Sequence, residues 1–200
     1  NIPGKHIPGG KGLAGMVAGT GQGVVIPAAS MNTLHNEVEK FSGIEVNAQD
    51  VVDFWFGAAG SAEFGSMRAM WFRKDGELDK LIAQRFGATV EAALAGQLLG
   101  WDGLPHSNLA RIIVLDQFTR NIFRETPQAF VGDALALAAA QAMLERDAHA
   151  TLLPVQRAFA YLPFEHAEHL AAQQRGVALF TALAQESASM QAMLDYAIRH

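Results

Sequence analysis

The stretch Val114-Leu-Asp-Gln-Phe-Thr-Arg-Asn-Ile-Phe-Arg-Glu-Thr-Pro-Gln-Ala-Phe130 decides the fold of this chain. At 100° per residue, Leu109, Ile112, Ile113, Val114, Leu115, Phe118, Ile122 and Phe123 point nearly all round one axis, and a helix that is apolar on every side is a buried helix. Yet the same stretch carries Asp116, Gln117, Arg120, Asn121 and Arg124. Removing the partner of a buried charge costs roughly 3 to 5 kcal/mol. The stretch therefore predicts a polar network inside a helical protein.

Helical patterning continues on both sides. Asn47 is placed to cap a short helix through Val51, Val52, Phe54 and Trp55 that stops at Gly57. A second helix is expected over Met67 to Phe72. Asp75 caps a long one through Leu78, Ile82, Phe86, Val90 and Leu94, ending at Gly96, and Ser107 caps the buried helix. Thr126-Pro127 and then Gly132-Asp133 start the next pieces, and an alanine-rich helix runs to about Arg146. Pro154 opens another, Leu162-Pro163 interrupts it, and a helix from Phe164 to about Ala184 leads into a last one from Ser189. No window alternates at period two. The expectation is an all-α body of seven to nine helices. Trp101-Asp-Gly-Leu104 begins like a tetratricopeptide signature, but the positions after it fail, and no repeat of about 34 residues is present.

Residues 1–30 are of a different kind. They hold eight of the nineteen glycines, three prolines and two lysines, with no acidic residue. So much glycine leaves too little side chain to bury. This segment reads as a flexible tail, and Met31 after it as a natural start, which makes the tail foreign or upstream sequence. A signal peptide is the rival reading, but glycine and proline break its apolar region too often. Gly10-Lys-Gly12-Leu-Ala-Gly15 spells the dinucleotide-binding pattern without the strand before it or the helix after it. Residues 31–200 then form a single all-α domain.

Composition excludes several function classes. Half of the residues are hydrophobic and 18% charged, enough to bury a sizeable core. The net charge of −5, with no Lys/Arg run, argues against nucleic acid. The absence of cysteine rules out disulfides, thiolate metal sites and a cysteine nucleophile, and suits a cytoplasmic protein. The longest apolar helical run, Ala134 to Leu144, is too short for a bilayer. No membrane partner, cofactor or metal is implied; a homo-oligomer is left open.

In the helix expected from Phe164, His166 and Gln173 face the core while Glu165, Glu168 and Arg175 face away. A core histidine is either a neutral ring satisfied by buried partners, such as the Asp116/Arg120 strip, or an acid–base group in a cleft. His166 and His169 make a His-x-x-His pair, but the metalloprotease order and a third ligand are lacking. Asp116, Arg120 and Arg124 follow i, i+4, i+8 spacing. Pairing with Asp116, Asp133 or Glu125 is the structural reading of the two arginines, and a fork for a carboxylate or phosphate the functional one. No Gly-x-Ser-x-Gly elbow supports a serine hydrolase.

Five segments taken together resemble the bacterial domain of unknown function family 924. They are Val52-Asp-Phe-Trp-Phe-Gly57; Met70-Trp-Phe-Arg-Lys-Asp75; Arg85-Phe-Gly87; Leu115-Asp-Gln-Phe-Thr-Arg-Asn-Ile-Phe-Arg124 with Ala129-Phe130 and Asp133; and Arg157-Ala-Phe-Ala-Tyr-Leu-Pro-Phe-Glu-His166. The resemblance covers about Ala48 to His200. Ala167 stands where the family pattern has serine, Glu168 keeps the acid, and the pattern continues past His200. The resemblance implies stacked antiparallel helix pairs of the tetratricopeptide-like superfamily, an α-solenoid-like bundle with a concave face. It also implies one site containing Asp116, Arg120, Asn121, Arg124, Tyr161 and His166, to which the residue patterns add Gln117, Asp133 and Arg157. It implies no reaction.

Two functions compete. One is a helical interaction module that holds a peptide or small anionic ligand in its groove. The other is a hydrolase-like enzyme in which Asp116 or His166 is the base and Arg120 with Arg124 holds an anionic substrate. Side chains that converge on a solvent-connected pocket with bonds to spare favour the enzyme or ligand reading, and side chains that saturate one another favour a structural network.

Overall fold

The computed structural model describes residues 46–199. The expectations for residues 1–30 and for Met31 lie outside the described residues. Among these there are seven helices and no strand: α1 (Ala48–Phe56), α2 (Gly76–Leu94), α3, α4 (Asp133–Glu145), α5 (Pro154–His166), α6 (Leu170–Glu186) and α7 (Gln191–Arg199). Helix α3 is continuous but has three parts, Pro105–Ile113, a π-turn at Val114–Phe118, and Thr119–Ile122. The protein is all-α.

Local chemistry sets most boundaries. Asn47 and Asp50 form a reciprocal capping box at the start of α1, and Gly57, with φ of 84°, ends it. Asp75 accepts from the amides of Glu77 and Leu78 to start α2. Three expectations need correction. Only a 3-10 turn, Ala69–Phe72, forms where a second helix was expected, because Arg68 and Arg73 on either side are extended. Helix α3 starts at Pro105, in the first-turn position that suits proline, and not at a Ser107 cap; the Ser107 hydroxyl points back to the Leu104 carbonyl instead. Pro163 does not interrupt α5, which runs on to His166 with Leu162, Pro163 and Phe164 all buried. The break falls at Ala167–His169, and α6 begins only at Leu170.

Helix α3 is the axis of the body. Leu109, Ile112, Ile113, Val114, Leu115 and Phe118 are fully buried, and α3 touches α1, α2, α4 and α5. Trp55, Phe56, Trp71 and Phe159 form an edge-to-face aromatic cluster beside it, with Trp55 and Phe118 5.5 Å apart. Each such contact adds on the order of 1 kcal/mol to what burial alone contributes. Helices α5 and α6 pack closely at Gly176, where a Cβ would stand 3.3 Å from the Phe164 Cβ. That contact fixes the last turn of α5, which ends in His166.

Candidate active site

Asp116 sits in a turn of α3 that is wider than the rest of the helix. Over Val114–Phe118 the backbone bonds i→i+5 instead of i→i+4. The Thr119 hydroxyl donates to the Leu115 carbonyl at 2.8 Å, one turn back. The start of α4 presses on that same carbonyl: a Cβ on Gly132 would lie 2.1 Å from the Leu115 oxygen. Only glycine allows this approach. Asp133 follows as the first residue of α4, where the helix dipole favours a carboxylate.

These backbone contacts bring five of the nine candidate residues together. Asp116 is fully buried. His166 Nδ1 lies 2.7 Å from Asp116 Oδ1, and Gln117 Nε2 donates to Oδ2 at 2.5 Å. Arg120 Nη1 donates to the Asp116 backbone carbonyl at 2.8 Å and stands 3.2 Å from Oδ1. Asp133 takes both terminal nitrogens of Arg120, at 2.6 and 2.9 Å. Burial alone would push the Asp116 carboxyl up; the charge and hydrogen bond of His166, then Arg120 and Gln117, outweigh that and hold it below the usual carboxylate range. Arg120 loses solvation too, but Asp116 and Asp133 together raise it further above its ordinary value.

The other four candidates lie apart from this cluster. Asn121 donates to the Gln117 carbonyl and accepts from Arg124, so it leads away along α3. Arg124 forms a fork with Asp79 of α2, at 2.7 Å on both oxygens, and not with Asp116, Asp133 or Glu125. Glu125 pairs with Lys74. Arg157 pairs with Glu186 of α6, and Tyr161 packs edge-on against His149 and Phe180. Burial pushes the Tyr161 hydroxyl up to about 12.

A cavity of about 810 Å³, open on one side, adjoins the cluster. Arg120, Phe130, Asp133, Ala134 and Leu137 form one wall; Glu165, His166, Ala167, Glu168, His169, Gln173 and Tyr196 form the other. His166 is the hinge between cluster and cavity. Its side chain is 17% exposed and lines the cavity, and since Nδ1 donates to a carboxylate, the neutral ring keeps a bare Nε2. Nε2 has no hydrogen-bond partner among the described residues. Glu165, expected to face away, is buried in this wall, because it belongs to α5 and not to a helix that starts at Phe164. No group of three or more His, Asp or Glu among the described residues is arranged to hold a metal ion.

Sequence patterns alone missed Asp79 and Glu186, which are far in the chain from the arginines they bind, and Gly132, whose role shows only against Leu115. His169 was read only as half of a His-x-x-His pair, yet it caps α6 by accepting from the Ala172 amide at 3.2 Å.

A model of a bacterial protein family of unknown function, DUF924, matches residues 51–200. A solved structure of a protein of unknown function from Agrobacterium tumefaciens is 35% identical, covers 76% of this chain and 82% of its own, and superposes with a TM-score of 0.62. No curated protein matches the chain.

Proposed function

Starting from the fact that the chain belongs to the DUF924 family of bacterial proteins of unknown function, we propose that the cavity beside His166 is the active site of an acid–base enzyme acting on a small molecule. One observation carries the reading: a histidine bound through Nδ1 to a fully buried aspartate at 2.7 Å, on the lining of an open cavity. A carboxylate behind an imidazole fixes its tautomer and stabilises the imidazolium that forms when Nε2 takes a proton. Asp116 stays ionised at neutral pH because its folded value is depressed, so it can play that part. Arg120, itself held by Asp133, keeps Asp116 in place, and both residues also line the cavity.

The competing groove module for an anionic ligand finds less support. An anionic ligand, in a groove or as an enzyme's substrate, would need Arg120 and Arg124, and the terminal nitrogens of Arg120 are taken by Asp133 and Asp116 while Arg124 is taken by Asp79 and Asn121. A guanidinium so engaged has little left to offer a carboxylate or phosphate. Peptides remain occupants of the same cavity only if they bring an uncharged group to His166.

Two measurements test the proposal. Long-range proton–nitrogen spectra of the His166 ring near neutral pH should show the proton on Nδ1; a proton on Nε2 would remove the base. Incubation of the protein with a soluble bacterial metabolite extract, followed by mass spectrometry, should show at least one compound consumed by the wild type and spared by His166→Gln. Loss of the general base lowers rates by about 10² to 10⁴. Equal consumption by both proteins would place the chemistry elsewhere.

A further inference from the structure

The cavity wall holds a second histidine whose ring is wired in the opposite sense. His169 Nδ1 accepts the Ala172 N–H at 3.2 Å as the cap of α6. A ring nitrogen that accepts carries no proton, so the neutral His169 ring bears its hydrogen on Nε2. His166 donates from Nδ1 and keeps a bare Nε2. The two rings, three residues apart across the α5–α6 break, therefore line one cavity with one acceptor and one donor. In this wiring the neutral His169 ring can present a bare Nε2 only by giving up its cap.

We infer that His169 is a ligand-binding residue paired with His166, and that the cavity takes an uncharged carboxamide, its N–H donating to His166 and its carbonyl accepting from His169. This rests on the acid–base reading of His166 and adds the class of ligand. An ammonium brings only donors, so although Glu168 at the rim could receive it, it would leave the His169 N–H unmatched. A carboxylate brings only acceptors, which would face the bare nitrogen of His166, while Arg120 is occupied by Asp133. Phe130, Ala134 and Leu137 give the cavity an apolar side for the rest of the molecule.

Benzamide, benzoate and benzylamine are the probes, titrated into the full chain while the histidine ring signals are followed by NMR. Benzamide should shift both the His166 and His169 rings and bind more tightly than the two charged probes. His169→Asn separates binding from folding, because asparagine also caps helices but cannot reach with a distal N–H. That variant should keep the melting temperature within a few degrees and weaken benzamide by about tenfold, the loss of one hydrogen bond. Tighter binding of benzoate or benzylamine, no binding of benzamide, or an unchanged benzamide affinity in His169→Asn would overturn the inference. If His169 carries its proton on Nδ1 while His166 does too, the inference fails and the acid–base reading stands; if His166 carries it on Nε2, that reading itself fails.

Discussion

Replacing Gly132 by alanine sets two effects of opposite sign against each other. The backbone there has φ of −88° and ψ of −10°, a conformation alanine adopts freely. On chain entropy alone the substitution would stabilise by about 0.4 to 1 kcal/mol. Its Cβ, however, would lie 2.1 Å from the Leu115 oxygen, and real Cβ atoms essentially never come within 3.0 Å of a neighbour. The neighbour is a backbone carbonyl already accepting from Thr119, so it cannot swing aside as the tip of a flexible side chain would. Overpacking of this kind costs about 1 to 3 kcal/mol, and the rigidity of the partner puts the cost near the upper end. The expected net loss is about 2 kcal/mol, or about 4 to 8 °C in Tm for a chain of this size. Urea unfolding followed by circular dichroism measures it. Gly87→Ala in α2 is the control: nothing lies within 4 Å of a Cβ there, so it should stabilise by about 0.5 to 1 kcal/mol. A Gly132→Ala variant as stable as the wild type would show that α4 does not bear on the π-turn.

Asp116→Ala should destabilise by about 3 kcal/mol, because it leaves His166 and Gln117 without the buried carboxylate they bind, while Glu168→Ala at the exposed rim should change little; equal small effects in denaturant unfolding would refute the buried network. The stability that Asp116 supplies is present above the ordinary value of 3.8 and is lost as pH falls through its depressed folded value. Calorimetry should therefore show the gap between wild type and Asp116→Asn narrowing as the pH drops below 3.8, and a widening gap would reverse the sign of the argument. Tyr161, raised to about 12, should give a late step in an ultraviolet alkaline titration that Tyr161→Phe removes, and the stability it carries should be fully present below 10.0 and fade as pH rises through 12.

Local chemistry was legible in the sequence and distant chemistry was not. Asn47 and Asp75 mark helix starts because a cap bonds to amides two or three residues away, and Gly132-Asp133 marks one with a carboxylate in the first turn and no side-chain cap. The burial of Asp116 follows from the apolar residues around it, and the core-facing position of His166 makes the Asp116/Arg120 strip one of its candidate partners. Pro163 misled because a proline deletes one helical hydrogen bond and crowds the carbonyl four residues back, yet tertiary burial of Leu162 and Phe164 keeps α5 intact. That single error moved the helix break and reversed the facing of Glu165. The π-turn escaped because a wheel assumes a constant angle per residue. Arg124 with Asp79 and Arg157 with Glu186 escaped because pairs 45 and 29 positions apart leave no mark in local periodicity.

The π-turn behaves like a dislocation in a one-dimensional lattice. An α-helix has a phase, and the extra width at Val114–Phe118 advances it once, so everything from Thr119 onward faces a direction that an unbroken helix would not give it. A dislocation in a free helix could migrate or anneal, since the same slip a few residues along forms as many hydrogen bonds. Here Gly132 pins it from outside by seating α4 on the Leu115 carbonyl, and Thr119 pins it from within. If α3 annealed to a plain helix at unchanged length, Arg120 would rotate by about 100° away from Asp133. The clamp around Asp116 thus depends on where the slip is held as much as on residue type.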